Sequence, residues 1–269
     1  MESFTSGDGS LQYRVRGSGD PLLMISGGII ADGYEGVADA LAAQYRLLTF
    51  RRRGFGGSSA AREGDTINAQ AADAVALLDH LGVATAHVGG HSDGGAVALQ
   101  MALDAPTRVH SLSLLEPGLL SAPSGEEFGA AATPIAERYQ SGDAEEALVA
   151  FLTLVGGEDP VARISKTLPA GWYEQALADL STLFGGDLVS LGSWQFDEQD
   201  ARSIRQPALT VKGTETFPMC AESYELLRSW LPNAEPFVLG GATHLLQIDD
   251  PDGMTQGLLD FLTRHPIPG

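Results

Sequence analysis

The stretch from Ala84 to Ala105 constrains the fold more than any other. ATAHV is a short apolar run, GGHSDGG (89–95) follows it, and AVALQMALDA carries apolar residues at helical spacing. A strand therefore passes into a helix through one tight turn, with Gly90 and Gly94 two positions either side of Ser92. The glycines remove Cβ atoms that such a turn has no room for. The serine between them is held in a strained backbone with its hydroxyl exposed beyond the strand end. The helix N-terminus behind it presents free N–H groups and partial positive charge. The plainer alternative is a glycine-rich turn carrying a serine N-cap. His91 and Asp93 flank Ser92, but neighbours at such a turn point different ways, so His91 is expected to pack beneath it. The backbone N–H of Asp93 is a candidate donor to an oxyanion.

Elsewhere β-like runs alternate with helical patterns, which predicts an α/β fold with a mostly parallel sheet flanked by helices. The expected strands are 11–17 (exposed and antiparallel), 21–26, 45–50, 84–89, 109–115, 207–213 and 235–241. Helical patterns cover 35–44, 66–81, the stretch after the serine turn, 220–231, and a last helix starting near Pro251. Residues 118–196 break the alternation: they are rich in alanine and glycine, with three helical patterns (125–140, 143–155, 171–183) and no strand signal. They are expected to form a helical cap inserted in a core made of 1–117 and 197–269.

Composition narrows the function classes. With 35 acidic against 16 basic residues the formal net charge is −19, which disfavours nucleic acid or an anionic membrane as partner. The single cysteine, Cys220, leaves no internal disulfide and no cysteine-based zinc cluster. The first residues lack the basic-then-apolar signature of a secretion signal, and the apolar runs are short for a membrane span. A soluble, cytoplasmic chain is expected; its oligomeric state is not indicated.

A second oxyanion donor is expected after the 21–26 strand, where Ser26-Gly27-Gly28 places the Gly28 N–H. Of six histidines, His244 is the candidate base, because it follows the last strand in LGGATHLLQIDDP. His80 ends a helix, His87 and His110 lie within strands, and His265 is in the tail.

Together these features resemble the α/β-hydrolase fold superfamily across nearly the whole chain. FRRRGFGGS (50–58) is similar to that family's Asp-x-Arg-Gly-x-Gly-x-Ser loop, with Arg51 where aspartate is usual; in the turn after the 21–26 strand, Ser26 stands where the family's His-Gly pair has histidine. The resemblance implies a triad of nucleophile, histidine and acid. Most members take the acid as an aspartate after the strand matching 207–213, but here that loop reads Gly213-Thr214-Glu215-Thr216, with no aspartate between Asp200 and Asp249. Glu215 is one candidate. Glu116 is the other, directly after the 109–115 strand; some haloalkane dehalogenases and the zearalenone lactonases place their acid there. The fungal lactonases are similar in the serine nucleophile, the glutamate and the threonine-rich segment. Glu116 is favoured because its strand should lie beside the nucleophile strand, and Pro117 is expected to hold its backbone extended.

The reading that follows is a serine hydrolase cleaving a hydrophobic carboxylic ester or lactone through an acyl-enzyme. Ser92 is the nucleophile, His244 the base, Glu116 the acid, with oxyanion donors at Gly28 and Asp93 and no metal or organic cofactor. The cap aromatics Phe128, Tyr139, Phe151, Phe184 and Phe196 favour an apolar substrate, with Trp172, Tyr173 and Trp194 as pocket candidates. Ser92 excludes chemistry that needs an aspartate nucleophile. A C–C bond hydrolase, a perhydrolase, and a non-catalytic small-ligand receptor remain alternatives.

Overall fold

The computed structural model describes residues 1–62 and 64–268. The apolar runs pair into one eight-stranded sheet: β1 (Glu2–Ser6), β2 (Gly9–Arg16), β3 (Pro21–Ile25), β4 (Arg46–Phe50), β5 (Ala86–His91), β6 (Val109–Leu115), β7 (Ala208–Gly213) and β8 (Ala234–Leu239). Their order is β1-β2-β4-β3-β5-β6-β7-β8. β1 and β2 are antiparallel additions at one edge, and all pairings from β4 onward are parallel. β1 is the strand the sequence pattern did not announce. ESFTS is largely polar, and only Phe4 and Ser6 turn inward when it pairs with β2.

The central strands are buried on both faces, which is why β3 reads as a continuous apolar run and β5 is buried at every position. One face is covered by α2 (Ile67–His80), α3 (Asp93–Asp104) and α10 (Pro218–Trp230), through residues such as Leu77, Leu99 and Leu227. The other is covered by α1 (Glu35–Ala42) and α12 (Pro251–Arg264), through Leu41, Leu258 and Phe261. Thr66 caps α2 by accepting from the Ala69 N–H.

Between β6 and β7 lie α4 (Gly125–Gln140), α5 (Ala144–Gly156), α6 (Pro160–Thr167), α7 (Trp172–Thr182), α8 (Leu188–Ser193) and α9 (Glu198–Ser203). Three match the expected helices. α6 and a wider, π-helical turn at Leu183–Asp187 were not legible in the pattern. Among the described residues of 118–196 there is no strand. Phe151, Leu152, Leu180 and Leu183 from this region pack on Ile29 and Leu245 from loops above the sheet, on Met219 and Cys220 at the start of α10, and on Ile248. No helix among the described residues is long and apolar enough to cross a membrane.

The strand order reverses direction between β3 and β5, so their carboxyl ends open a crevice. Ser26-Gly27-Gly28 leaves β3 there, Ser92 leaves β5, and α11 (Leu246–Asp249) follows the loop after β8 that carries His244.

Candidate active site

Ser92 links β5 to α3 with φ 54° and ψ −122°, a strained conformation for a residue with a side chain. Its neighbours explain why glycine flanks it. A Cβ on Gly90 would lie 2.1 Å from the Gly94 carbonyl oxygen, and one on Gly94 would lie 2.2 Å from that of Ile25. The turn is held by main-chain bonds: Ser92 N–H donates to Leu115 O at 3.0 Å, and Gly118 N–H donates to Ser92 O at 3.2 Å.

His244 is buried and lines the same cavity as Ser92. Its Nδ1 lies 2.6 Å from Glu116 Oε2, across 128 residues of sequence. Glu116 is fully buried. Its Oε1 accepts from Gly213 N–H at 2.7 Å, and its Oε2 also accepts from the Thr216 hydroxyl at 2.7 Å. With Glu116 accepting from Nδ1–H, the imidazole is fixed in the tautomer that leaves Nε2 as a proton acceptor. Ser92 Oγ and His244 Nε2 share no hydrogen bond among the described residues; such bonds often tighten only when substrate is bound.

The structure brings Glu116, and not Glu215, to the histidine. Glu215 is exposed, and its carboxylate takes a bond from the Thr214 hydroxyl at 3.3 Å. The loop after β7, where the superfamily usually keeps an aspartate, contributes donors to Glu116 through Gly213 and Thr216. One expectation is corrected. Glu116 is not extended: its φ is +44°, in the left-handed region. Pro117 restricts its ψ, but the bonds at both carboxylate oxygens, and Glu116 N–H to Val211 O at 3.2 Å, hold the residue there against local preference.

His91 lies under the turn, with Nε2 2.8 Å from the His244 carbonyl oxygen and the two rings 4.6 Å apart. Burial, and then the nearby His244, lower its pKa to about 3. It is therefore neutral and donates through Nε2–H, supporting the His244 loop. Cys220 Sγ is 3.4 Å from His244 Nδ1, and burial followed by the Glu116 charge pushes the thiol well above its ordinary range. Glu116, Cys220 and His244 offer three metal-ligand atoms within 4.8 Å of one another. Hydrogen bonding among them and to Gly213 and Thr216 accounts for this cluster without an ion.

The turn after β3 sits against the serine. A Cβ on Gly27 would lie 3.0 Å from Ser92 Cβ, and one on Gly28 would lie 2.9 Å from Asp93 Oδ2 and 3.3 Å from Asp187 Oδ2. Those carboxylates belong to a buried cluster that sequence reasoning missed. Arg52 forms a two-pronged pair with Asp187 at 2.8 and 2.7 Å, and its Nε donates to the Ser26 carbonyl at 3.2 Å. Asp93 joins them, its pKa raised to about 6, first by burial and then by the Asp187 charge. The only signal for this cluster was the Arg51-Arg52-Arg53 run. In that run Arg51 pairs with Asp32 and Arg53 with Asp73.

The rest of the cavity is mostly apolar, lined by Phe128, Phe151, Leu152, Val155, Leu183, Leu188, Leu191 and Phe217, with Ser26 and Gln247 as its further polar side chains. Trp172, Tyr173 and Trp194, expected as pocket residues, lie outside it. Trp194 stacks on Phe196 and donates to Gln100 Oε1 at 2.8 Å, packing between helices and core. Trp172 meets Tyr173 edge-on and donates to the Ser165 hydroxyl at 3.1 Å.

Residues 20–251 match the α/β hydrolase fold family. With this sheet order and serine turn, the chain belongs to that family. Among curated relatives, it is 33% identical over 234 residues to the dihydrolipoyllysine-residue acetyltransferase component of an acetoin cleaving system from Pseudomonas putida. That alignment covers 84% of this chain but only 58% of the relative. A 2-hydroxymuconate semialdehyde hydrolase from Pseudomonas putida is 27% identical over 93% of this chain and 89% of its own length. Among solved structures, the enol-lactonase of Burkholderia xenovorans LB400 superposes with a TM-score of 0.83 at 23% identity. It covers 97% of this chain and 100% of its own, a likeness of fold.

Proposed function

We propose that the chain is a serine hydrolase of hydrophobic carboxylic esters or lactones, with Ser92, His244 and Glu116 as its triad. The observation that carries this reading is the buried Glu116 Oε2 to His244 Nδ1 hydrogen bond of 2.6 Å, in a cavity that also holds Ser92. His244 Nε2 takes the proton as Ser92 Oγ attacks the carbonyl carbon. The carbonyl π electrons move to oxygen, which the N–H groups of Gly28 and Asp93 receive. Collapse expels the alcohol or opens the lactone, with the leaving oxygen protonated by His244. Water, activated by the same histidine, then cleaves the acyl-enzyme. Residues 118–196 act as the cap, and the apolar lining from Phe128, Phe151 and Leu183 favours a hydrophobic substrate. The fold of the enol-lactonase and the name of the semialdehyde hydrolase keep lactone opening and C–C cleavage within reach of one triad.

The test is a p-nitrophenyl ester of a hydrophobic acid. The wild-type protein should release a nitrophenolate burst matching the enzyme concentration, followed by slower turnover, and Ser92→Ala should release none. Absence of turnover on a panel of esters and lactones, with cleavage of a vinylogous β-diketone, would assign the site to C–C hydrolysis instead.

A further inference from the structure

The proposed mechanism uses the backbone of Asp93 but leaves its side chain unexplained. The residue is 4% exposed, yet it lines the apolar cavity beside the nucleophile. Two carboxylates, Asp93 and Asp187, share one cation, Arg52. Four of the five N–H donors of that cation are committed elsewhere: Nε to Ser26 O, Nη1 to Gln70 and Asp187, Nη2 to Asp187. No side chain among the described residues donates to Asp93. The Gly28 backbone lies beside its carboxylate, a Cβ there meeting Asp93 Oδ2 at 2.9 Å. The Gly28 N–H is the one assigned above to the oxyanion, so a bound substrate carbonyl keeps it from serving the carboxylate.

A buried carboxylate without partners is costly. This one is built into the pocket on several sides. A Cβ on Gly28 would meet Asp93 Oδ2 at 2.9 Å, and one on Gly118 would lie 3.7 Å from Oδ1. The two glycines keep a niche open around it, next to the scissile carbonyl and bordered by Leu183 and Leu191. We infer that Asp93 is a specificity-determining residue that receives a protonated amine carried by the acyl part of the substrate, close to the carbonyl carbon, with an apolar group filling the remaining cavity. The ammonium supplies the donor that Asp93 lacks and leaves the Gly28 N–H to the oxyanion. The net charge of −19 attracts such a cation toward the protein as well.

This inference rests on the serine-hydrolase reading and is tested so that the two fail separately. The probes are phenylalanine methyl ester and methyl 3-phenylpropanoate, which differ only in the amine. Wild-type kcat/KM at neutral pH should favour the amino ester by about ten- to hundred-fold, and in Asp93→Asn the ratio should fall to about one, whichever way the absolute rates move. Affinity of both esters for Ser92→Ala is measured by calorimetry, with Ser92→Ala/Asp93→Asn as partner, so the ammonium preference is read without turnover. Preference in both measurements, lost with Asp93, supports the inference. Turnover of both esters without preference, or a preference that survives Asp93→Asn, overturns it while leaving the triad standing. Binding preference without any turnover overturns the hydrolase reading instead.

Discussion

Replacing Glu116 by glutamine changes one atom and tests the triad directly. Glu116 accepts three hydrogen bonds, from Gly213 N–H at 2.7 Å, the Thr216 hydroxyl at 2.7 Å and His244 Nδ1 at 2.6 Å. A glutamine side chain has one acceptor oxygen. If that oxygen stays on Gly213 N–H, the amide NH2 faces Nδ1, which must then accept. The imidazole proton moves to Nε2, and nothing remains to take the Ser92 proton. Loss of the correct tautomer costs about 10³- to 10⁴-fold in kcat, or roughly 4–5.5 kcal/mol of activation free energy. If the amide flips, its NH2 opposes the Gly213 N–H, and the unsatisfied buried donor costs about 1–3 kcal/mol of stability. Steady-state kinetics on the p-nitrophenyl ester, with a urea melt alongside, distinguish the two orientations. Glu215→Gln is the control and should stay within a few-fold of wild type, because Glu215 is exposed and bonds Thr214. A Glu116→Gln enzyme within ten-fold of wild type, or a Glu215→Gln enzyme that loses orders of magnitude, refutes the assignment of the acid.

Two further outcomes follow from the buried charges. Arg52→Leu strands Asp93 and Asp187 without their cation; it should cost about 3–5 kcal/mol, seen as a fall in Tm on the order of 10 °C, and an unchanged Tm would show that the pair contributes nothing. The raised pKa of Asp93, about 6, also sets a sign for pH dependence. The folded state holds this proton to higher pH than the unfolded chain, so its contribution favours folding most below about pH 4 and declines as pH rises toward 6. Asp93→Asn removes that decline: relative to wild type it should gain about 2–3 kcal/mol between pH 4 and pH 7 in urea titrations. A relative loss over that interval would reverse the electrostatic argument.

Much of the fold was legible because its signals are local. The alternation of apolar runs with helical spacing follows from side-chain periodicity, and the turn at Ser92 needs glycine for reasons contained within five residues. His244 could be singled out by its place after the last strand. β1 escaped notice because ESFTS buries only two side chains, and its pairing with β2 makes it a strand. α6 and the turn at Leu183–Asp187 likewise depend on packing between helices. The aromatics show the same limit: tryptophan content suggested a pocket wall, but which ring faces a cavity is set by neighbours far away in the chain.

The sequence by itself determined the class of fold, the strained serine, the histidine and the absence of an aspartate after β7. These follow from residue type, spacing and chain order, which no packing alters. Tertiary structure alone decided how the site is wired. Glu116 reaches His244 across 128 positions, in a left-handed backbone that local preference disfavours, because Gly213 and Thr216 hold its oxygens. Arg52 finds Asp187 across 135 positions, leaving Asp93 short of a partner. A hydrogen bond depends on distance in space, and distance in space is set by the folded sheet and the helices above it.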